Sequence, residues 1–139
     1  MMVTLPTDYR PSDAEEFMNE LQVEYFRQKL IRWRADLLRD ADGTLASLSS
    51  EGGILEADLT DRASVETDRA LELRTRDRAR KLINKIDQAL HRLENGSYGF
   101  CEETGEPIGL RRLEARPIAT MSIEAQERHE RMERVHRDE

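Results

Sequence analysis

From Leu21 onward the apolar positions recur every three to four residues: Leu21, Tyr25, Leu30, Trp33, Leu37, Leu45 and Leu48. That spacing marks one thin stripe on an amphipathic α-helix. Gly43 is the first glycine or proline to interrupt it, and the run Ser49-Ser50-Glu51-Gly52-Gly53 predicts a turn or loop. A second helix is predicted to start near Thr60 or Asp61. Thr60 suits an N-cap, and Asp61 in the first turn complements the helix dipole. Leu71, Leu82, Ile83, Ile86, Leu90 and Leu93 form its stripe, with no Pro or Gly before Gly96. Asn95-Gly96 predicts the stop, glycine being free to take the left-handed position past a helix end. Two helices of roughly 30 and 35 residues would each be ~45–50 Å long. Joined by a short polar loop, they predict an antiparallel coiled-coil finger over residues 21–95 with its tip at 51–63.

The flanks read differently. Residues 1–20 contain Pro6 and Pro11, which break an early helix, while Asp13, Glu15 and Glu16 could open a short one. Residues 96–122 hold Tyr98, Phe100, Ile108, Leu110, Leu113, Ile118 and Met121 among Gly99, Gly105, Gly109, Pro107 and Pro117. This predicts a small hairpin-and-turn module with too few apolar residues to stand alone. It should pack on the base of the finger and on the N-terminal segment. A last helix is expected within residues 123–139, carrying the i,i+4 pairs Glu124/Arg128, Glu127/Arg131, Glu130/Arg134 and Glu133/Arg137. The fold class is therefore mainly α: a long two-helix hairpin, a small globular module and a C-terminal helix.

Composition fits that picture. Hydrophobic and charged residues each make up 37% of the 139, against ~45–50% and ~25% in ordinary domains. Long helices that bury only a stripe suit such a chain better than one round core. The net charge of −7 argues against wrapping nucleic acid, and no direct DNA binding is expected. No stretch approaches the ~18–20 apolar residues of a membrane span, and MMVTLPTDYR has no signal-peptide pattern, so a cytoplasmic protein is expected. A single cysteine, Cys101, excludes an internal disulfide. Charge is unevenly placed: residues 13–68 carry 14 acidic and 6 basic side chains, whereas residues 69–94 carry 8 basic and 4 acidic. Arg74, Arg78, Lys81 and Lys85 are spaced 4, 3 and 4 apart and so share one helix face.

Candidate chemistry is sparse. Asp58 and Asp61 near the loop could approach a metal or polar groups deep in a partner, although helix capping accounts for such residues equally simply. The basic face could meet phosphate or an acidic surface, or simply be solvated. Cys101 is followed by Thr104 where a zinc knuckle would need a second cysteine, and His91, His129 and His136 are too scattered to complete four ligands. Zinc is therefore not expected, and Cys101 reads as a small half-buried residue. No Ser/His/Asp arrangement, phosphate-cradling glycine loop or H-E-x-x-H motif points to an enzyme.

Four segments together resemble the DksA/TraR family of bacterial transcription factors: Phe17-Met18-Asn19 with the helix through Phe26, Leu30 and Trp33; Asp58-Leu59-Thr60-Asp61-Arg62-Ala63, matching the tip pattern D-x-x-D-x-A; the run from Leu71 through Arg78 to Ile86; and Tyr98-Gly99-Phe100-Cys101 through Arg112 to Pro117. The resemblance covers about residues 15–130. It implies a non-enzymatic regulator that binds RNA polymerase directly, as a monomer, and inserts its coiled-coil tip into the secondary channel. With ppGpp, such proteins destabilise open promoter complexes in stringent-response control. Carried over residue by residue, the tip positions are Asp58, Asp61 and Ala63, and Arg78 is a polymerase contact. Leu82, Lys85 and Arg116 fall at the ppGpp site, where Gln126 stands in place of a family lysine. The family's four-cysteine zinc module is degenerate here: only Cys101 remains, the others falling on Thr104, Ser122 and Ala125. A Gre-like channel factor promoting transcript cleavage, with Asp58 and Asp61 holding a metal, is the neighbouring reading. An unrelated coiled-coil adaptor is the third.

Overall fold

Asn19 opens the first helix, α1 (Glu20–Glu51). Its Oδ1 accepts the Gln22 N–H at 2.9 Å, while Gln22 Oε1 accepts the Met18 N–H at 2.8 Å. The exchange is a capping box displaced by one residue. It lets Gln22, fully buried, keep its amide satisfied. The segment ahead of it is made of turns and not of the short helix expected near Asp13. The reason is the Glu15 carboxylate, which is engaged by the Tyr9 hydroxyl (2.9 Å), the Ser12 N–H (3.0 Å) and the Asn19 amide (3.2 Å). Such local side-chain bonds compete with helix formation.

The computed structural model describes the backbone of residues 3–51 and 59–137, and the side chains of residues 3–41 and 64–137. The second helix, α2 (Leu59–Asn95), begins one residue before Thr60, so Thr60 lies inside it and not at its N-cap. It ends where expected. Gly96 takes φ +85°, and the Ser97 N–H donates to the Arg92 carbonyl at 3.0 Å, the closing bond of a Schellman turn.

Two compact units divide the chain, one of residues 1–30 and 88–139, the other of residues 31–87, and the division runs through both long helices. In the second unit α1 and α2 run antiparallel, with Arg34 Nε donating to Asp87 Oδ1 at 2.8 Å. Leu71, expected in the stripe, is 53% exposed.

The first unit carries most of the core. Phe26 and Leu30 on α1, Ala89 and Leu93 on α2, and Tyr98, Leu110, Leu113 and Ile118 beyond it are all buried. Phe26 packs against Tyr98 at 5.7 Å between ring centroids, and Phe17 meets Phe100 edge-on at 5.5 Å. Gly99 permits that approach: its φ is +88°, and a Cβ there would lie 3.2 Å from atoms of Met18 and Phe17. The module of residues 97–122 contains one isolated bridge, Phe100 with Pro107, and a short helix, α3 (Leu110–Ala115), that the glycine and proline spacing did not suggest. The last helix, α4 (Ile123–Arg137), follows. None of its four Glu–Arg pairs is closed. Instead His129 lies 3.7 Å from Glu103 and 3.9 Å from Glu133.

Candidate functional site

The position of Cys101 is set by the bonds around it. Its N–H donates to the Glu106 carbonyl at 2.8 Å and its carbonyl accepts the Gly105 N–H at 2.9 Å, closing a tight loop. Its side chain is 3% exposed, deeper than the half-buried placement expected from sequence. Burial raises the thiol pKa, but hydrogen bonds from the Thr104 hydroxyl and from the Ser122, Thr104 and Glu103 N–H groups outweigh it, bringing it down to about 6. These hydrogen bonds favour the thiolate form of the sulfur. Thr104 and Ser122, two of the degenerate zinc positions, are brought to this one sulfur.

The same residues decide whether zinc fits. Ser122 is the N-cap of α4, its Oγ accepting the Ala125 N–H at 3.2 Å. Thr104 Oγ1 accepts the Glu106 N–H at 3.2 Å. Ala125, fully buried, offers no donor atom. One sulfur, two neutral hydroxyls already used in capping and turn formation, and a methyl group do not make the four-ligand set zinc requires. Among the described residues no group of three or more His, Cys, Asp or Glu side chains could hold a metal ion.

On α2, Arg74, Arg78, Lys81 and Lys85 are all exposed, and among the described residues none of them forms an ion pair. Arg78 and Leu82 line one groove with Leu37, Ala41 and Ala79 and with the polar side chains of Asp40, Thr75 and Arg76. A row of free cations beside a partly apolar groove can receive an acidic or phosphate-bearing surface. Of the tip residues, Asp58 lies outside the described residues; the backbone of Asp61 and Ala63 belongs to α2, and their side chains lie outside the described ones.

Arg116 closes α3. Its N–H donates to the Arg112 carbonyl at 2.7 Å, its own carbonyl accepts the Ala119 N–H at 3.0 Å, and its side chain is exposed. Arg116 belongs to the first unit and Lys85 to the second. Gln126 is half-buried, and its Nε2 donates to Glu130 Oε1 at 3.2 Å.

Beside Arg116 lies a contact that sequence reading missed. Lys29 Nζ donates to Glu114 Oε2 at 2.6 Å and to the Glu114 main-chain carbonyl at 3.1 Å, across 85 residues of sequence. Burial raises the Glu114 pKa, but hydrogen bonds from Lys29 and Tyr25, and the charges of Lys29 and Arg10, hold the carboxyl below its ordinary range. Long-range pairing of this kind leaves no local pattern. The helix that carries Glu114 did leave one: Leu110-Arg111-Arg112-Leu113-Glu114-Ala115 consists of strong helix formers and stops before Arg116-Pro117.

Comparison with known proteins covers nearly the whole chain. Residues 22–93 match the family model of the N-terminal domain of the DnaK suppressor protein DksA, and residues 96–131 match that of the prokaryotic dksA/traR C4-type zinc finger. The chain is 69% identical over 133 residues to the RNA polymerase-binding transcription factor DksA of Caulobacter vibrioides, covering 96% of this chain and 93% of that protein. It is 44% identical over 116 residues to the Escherichia coli protein of the same name, covering 84% and 76%. The solved structure of transcription factor DksA2 from Pseudomonas aeruginosa superposes with a TM-score of 0.79 at 46% identity, covering 90% of this chain and 94% of that one. These relatives are named as transcription factors and not as enzymes.

Proposed function

The chain belongs to the DksA/TraR family, and from that premise we propose that it is a transcription regulator that binds RNA polymerase directly. The observation that carries this reading is the 69% identity, over 96% of the chain, to a protein named for binding RNA polymerase. The exposed, unpaired row Arg74, Arg78, Lys81 and Lys85 supports it, since a polymerase contact needs side chains that are not already engaged. In this reading residues 21–95 form the finger, and Arg78 meets the enzyme near the mouth of its secondary channel. Asp58, Asp61 and Ala63 at the tip act close to the polymerase active site. The effector is ppGpp, and Leu82, Lys85 and Arg116 are the positions that the family resemblance assigns to it. Gln126 contributes a hydrogen-bond donor without charge, so the effector response is weaker than a lysine there would give. The protein works as a cytoplasmic monomer, without zinc, without catalysis of its own and without gripping DNA.

The test is transcription in vitro from a ribosomal RNA promoter, with and without ppGpp. Asp61→Asn keeps the size of the side chain and removes its charge. It is expected to abolish destabilisation of the promoter complex while polymerase affinity stays within about threefold, a change under ~1 kcal/mol. Arg78→Ala is expected to weaken binding by removing a charge-assisted contact. A folded Asp61→Asn protein that regulates like wild type overturns the reading.

A further inference from the structure

Leu71 is the exception in the apolar stripe of α2. Ile86 and Leu93 are buried and Leu82, Ile83 and Leu90 half-buried, yet Leu71 is 53% exposed. A single exposed leucine says little by itself; its position says more. Leu71, Arg78 and Lys85 are spaced seven residues apart, two helical turns each, so the leucine stands in line with two of the four exposed cations. Arg74, three residues on, is its neighbour on the next turn. These two side chains share a groove with Glu66, Thr67 and Ala70. Leu73 is exposed as well, but two residues along a helix is a rotation of about 200°, which turns it away from that line.

One face of α2 thus carries an aliphatic side chain bordered by cations that form no ion pair among the described residues. Protein interfaces are composed this way, with an apolar anchor that loses its water on docking and charged side chains around it. The cations select an acidic surface and steer its approach, but exposed charges add little affinity and fade with salt. Removing a leucine from water adds affinity with far less dependence on salt. We infer that Leu71 is the apolar anchor of the polymerase contact: it seats in a nonpolar recess of an acidic surface on RNA polymerase, and Arg74 and Arg78 meet the carboxylates around that recess. The inference rests on the polymerase-binding reading above and deepens it by naming the chemistry of the partner surface.

The experiment measures the affinity of the full chain, labelled at its N-terminus, for RNA polymerase at low and at high salt. Leu71→Ala and Leu71→Gln are each expected to weaken binding about 10-fold at both salt concentrations, Leu71→Met to stay within about threefold of wild type and Leu73→Ala within about twofold. Arg78→Ala is expected to weaken binding more at low salt than at high. Urea denaturation checks that each variant is folded; Leu71→Gln keeps the length of the side chain and gives the answer if Leu71→Ala is unstable. Folded Leu71 variants that bind like wild type, a loss in Leu73→Ala as large as in Leu71→Ala, or a Leu71→Ala effect that fades with salt overturns the inference. So does a free chain that is a dimer dissociated by Leu71→Ala, since the groove then belongs to a second copy. The two levels fail separately. A wild-type chain that does not bind polymerase refutes the functional reading itself. Binding that Arg78→Ala weakens and the Leu71 variants leave intact keeps that reading and removes the anchor.

Discussion

Residues 20–30 and 88–95 belong to the same two helices as the second unit, yet the two units use those helices differently. In the first unit the ladder Gln22, Phe26 and Leu30 is fully buried, as are Ala89 and Leu113, and Phe26 packs on the buried Tyr98. In the second, Ile86 is the one buried side chain among the described residues, while Ile31, Leu38, Leu71 and Leu73 are each at least 40% exposed. Burial is what stabilises a helix in a folded protein, far more than intrinsic propensity. The first unit therefore holds the fold. The second has a surface that can change with little penalty, which leaves the row from Arg74 to Lys85 free to serve a partner.

Core truncation is the largest way to break this contrast. Phe26→Ala is expected to cost about 3–5 kcal/mol, through lost burial and the cavity left behind. Leu71→Ala, at an exposed site, is expected to stay within about 0.5 kcal/mol. Urea denaturation of both variants measures the difference. Equal losses would mean that the shaft contributes to the fold as much as the module does.

The same contrast explains what could be read from the chain alone. The two long helices were legible because their stripes are local: four-residue spacing and the Asn95-Gly96 stop need no partner to be recognised. The depth of burial was not legible. Leu71 and Leu30 are comparable as letters in a periodic stripe, yet Leu30 is fully buried and Leu71 is 53% exposed. The module was legible in its apolar residues; its helix α3 left a run of helix formers from Leu110 to Ala115, but between Gly109 and Pro117 that run reads as part of the turns. The Lys29–Glu114 pair joins segments 85 residues apart, so no spacing announces it. The residues proposed for regulation come only from family resemblance, since exposed arginines on a helix face look alike whether or not they have a partner.

A medium effect should follow pH through Cys101. Its thiol pKa falls from an ordinary 9.0 to about 6 in the folded protein. A group depressed by folding stabilises the native state fully above its unfolded pKa, and that contribution is lost as pH falls from about 9 to about 6. At pH 8 it amounts to about 3 kcal/mol, and below the folded pKa it vanishes. Cys101→Ser keeps the hydrogen-bonding hydroxyl and removes the titration. The stability gap between wild type and Cys101→Ser is therefore expected to shrink steadily as pH is lowered across this window and to be flat below it. Thiolate absorbance near 240 nm should titrate with the same midpoint, near 6. A midpoint near 9 would show that the surrounding N–H groups do not hold the sulfur as an anion.

The smallest expected effect is that of metal removal. In zinc-dependent finger modules the metal supplies ~10–16 kcal/mol of apparent binding energy, and chelators unfold them. Here other groups are expected to do that work: Ser122 caps α4, Thr104 holds its turn, and Ala125, Leu110, Leu113 and Ile118 are buried in the module. EDTA is therefore expected to leave the melting temperature unchanged to within about 1 °C, well below the ~4–8 °C that 1 kcal/mol moves a small domain. Elemental analysis should find no stoichiometric zinc. A sharp drop in melting temperature, or one zinc per chain, would mean that a ligand set outside Cys101, Thr104, Ser122 and Ala125 assembles, and that the first unit owes its stability to metal and not to packing.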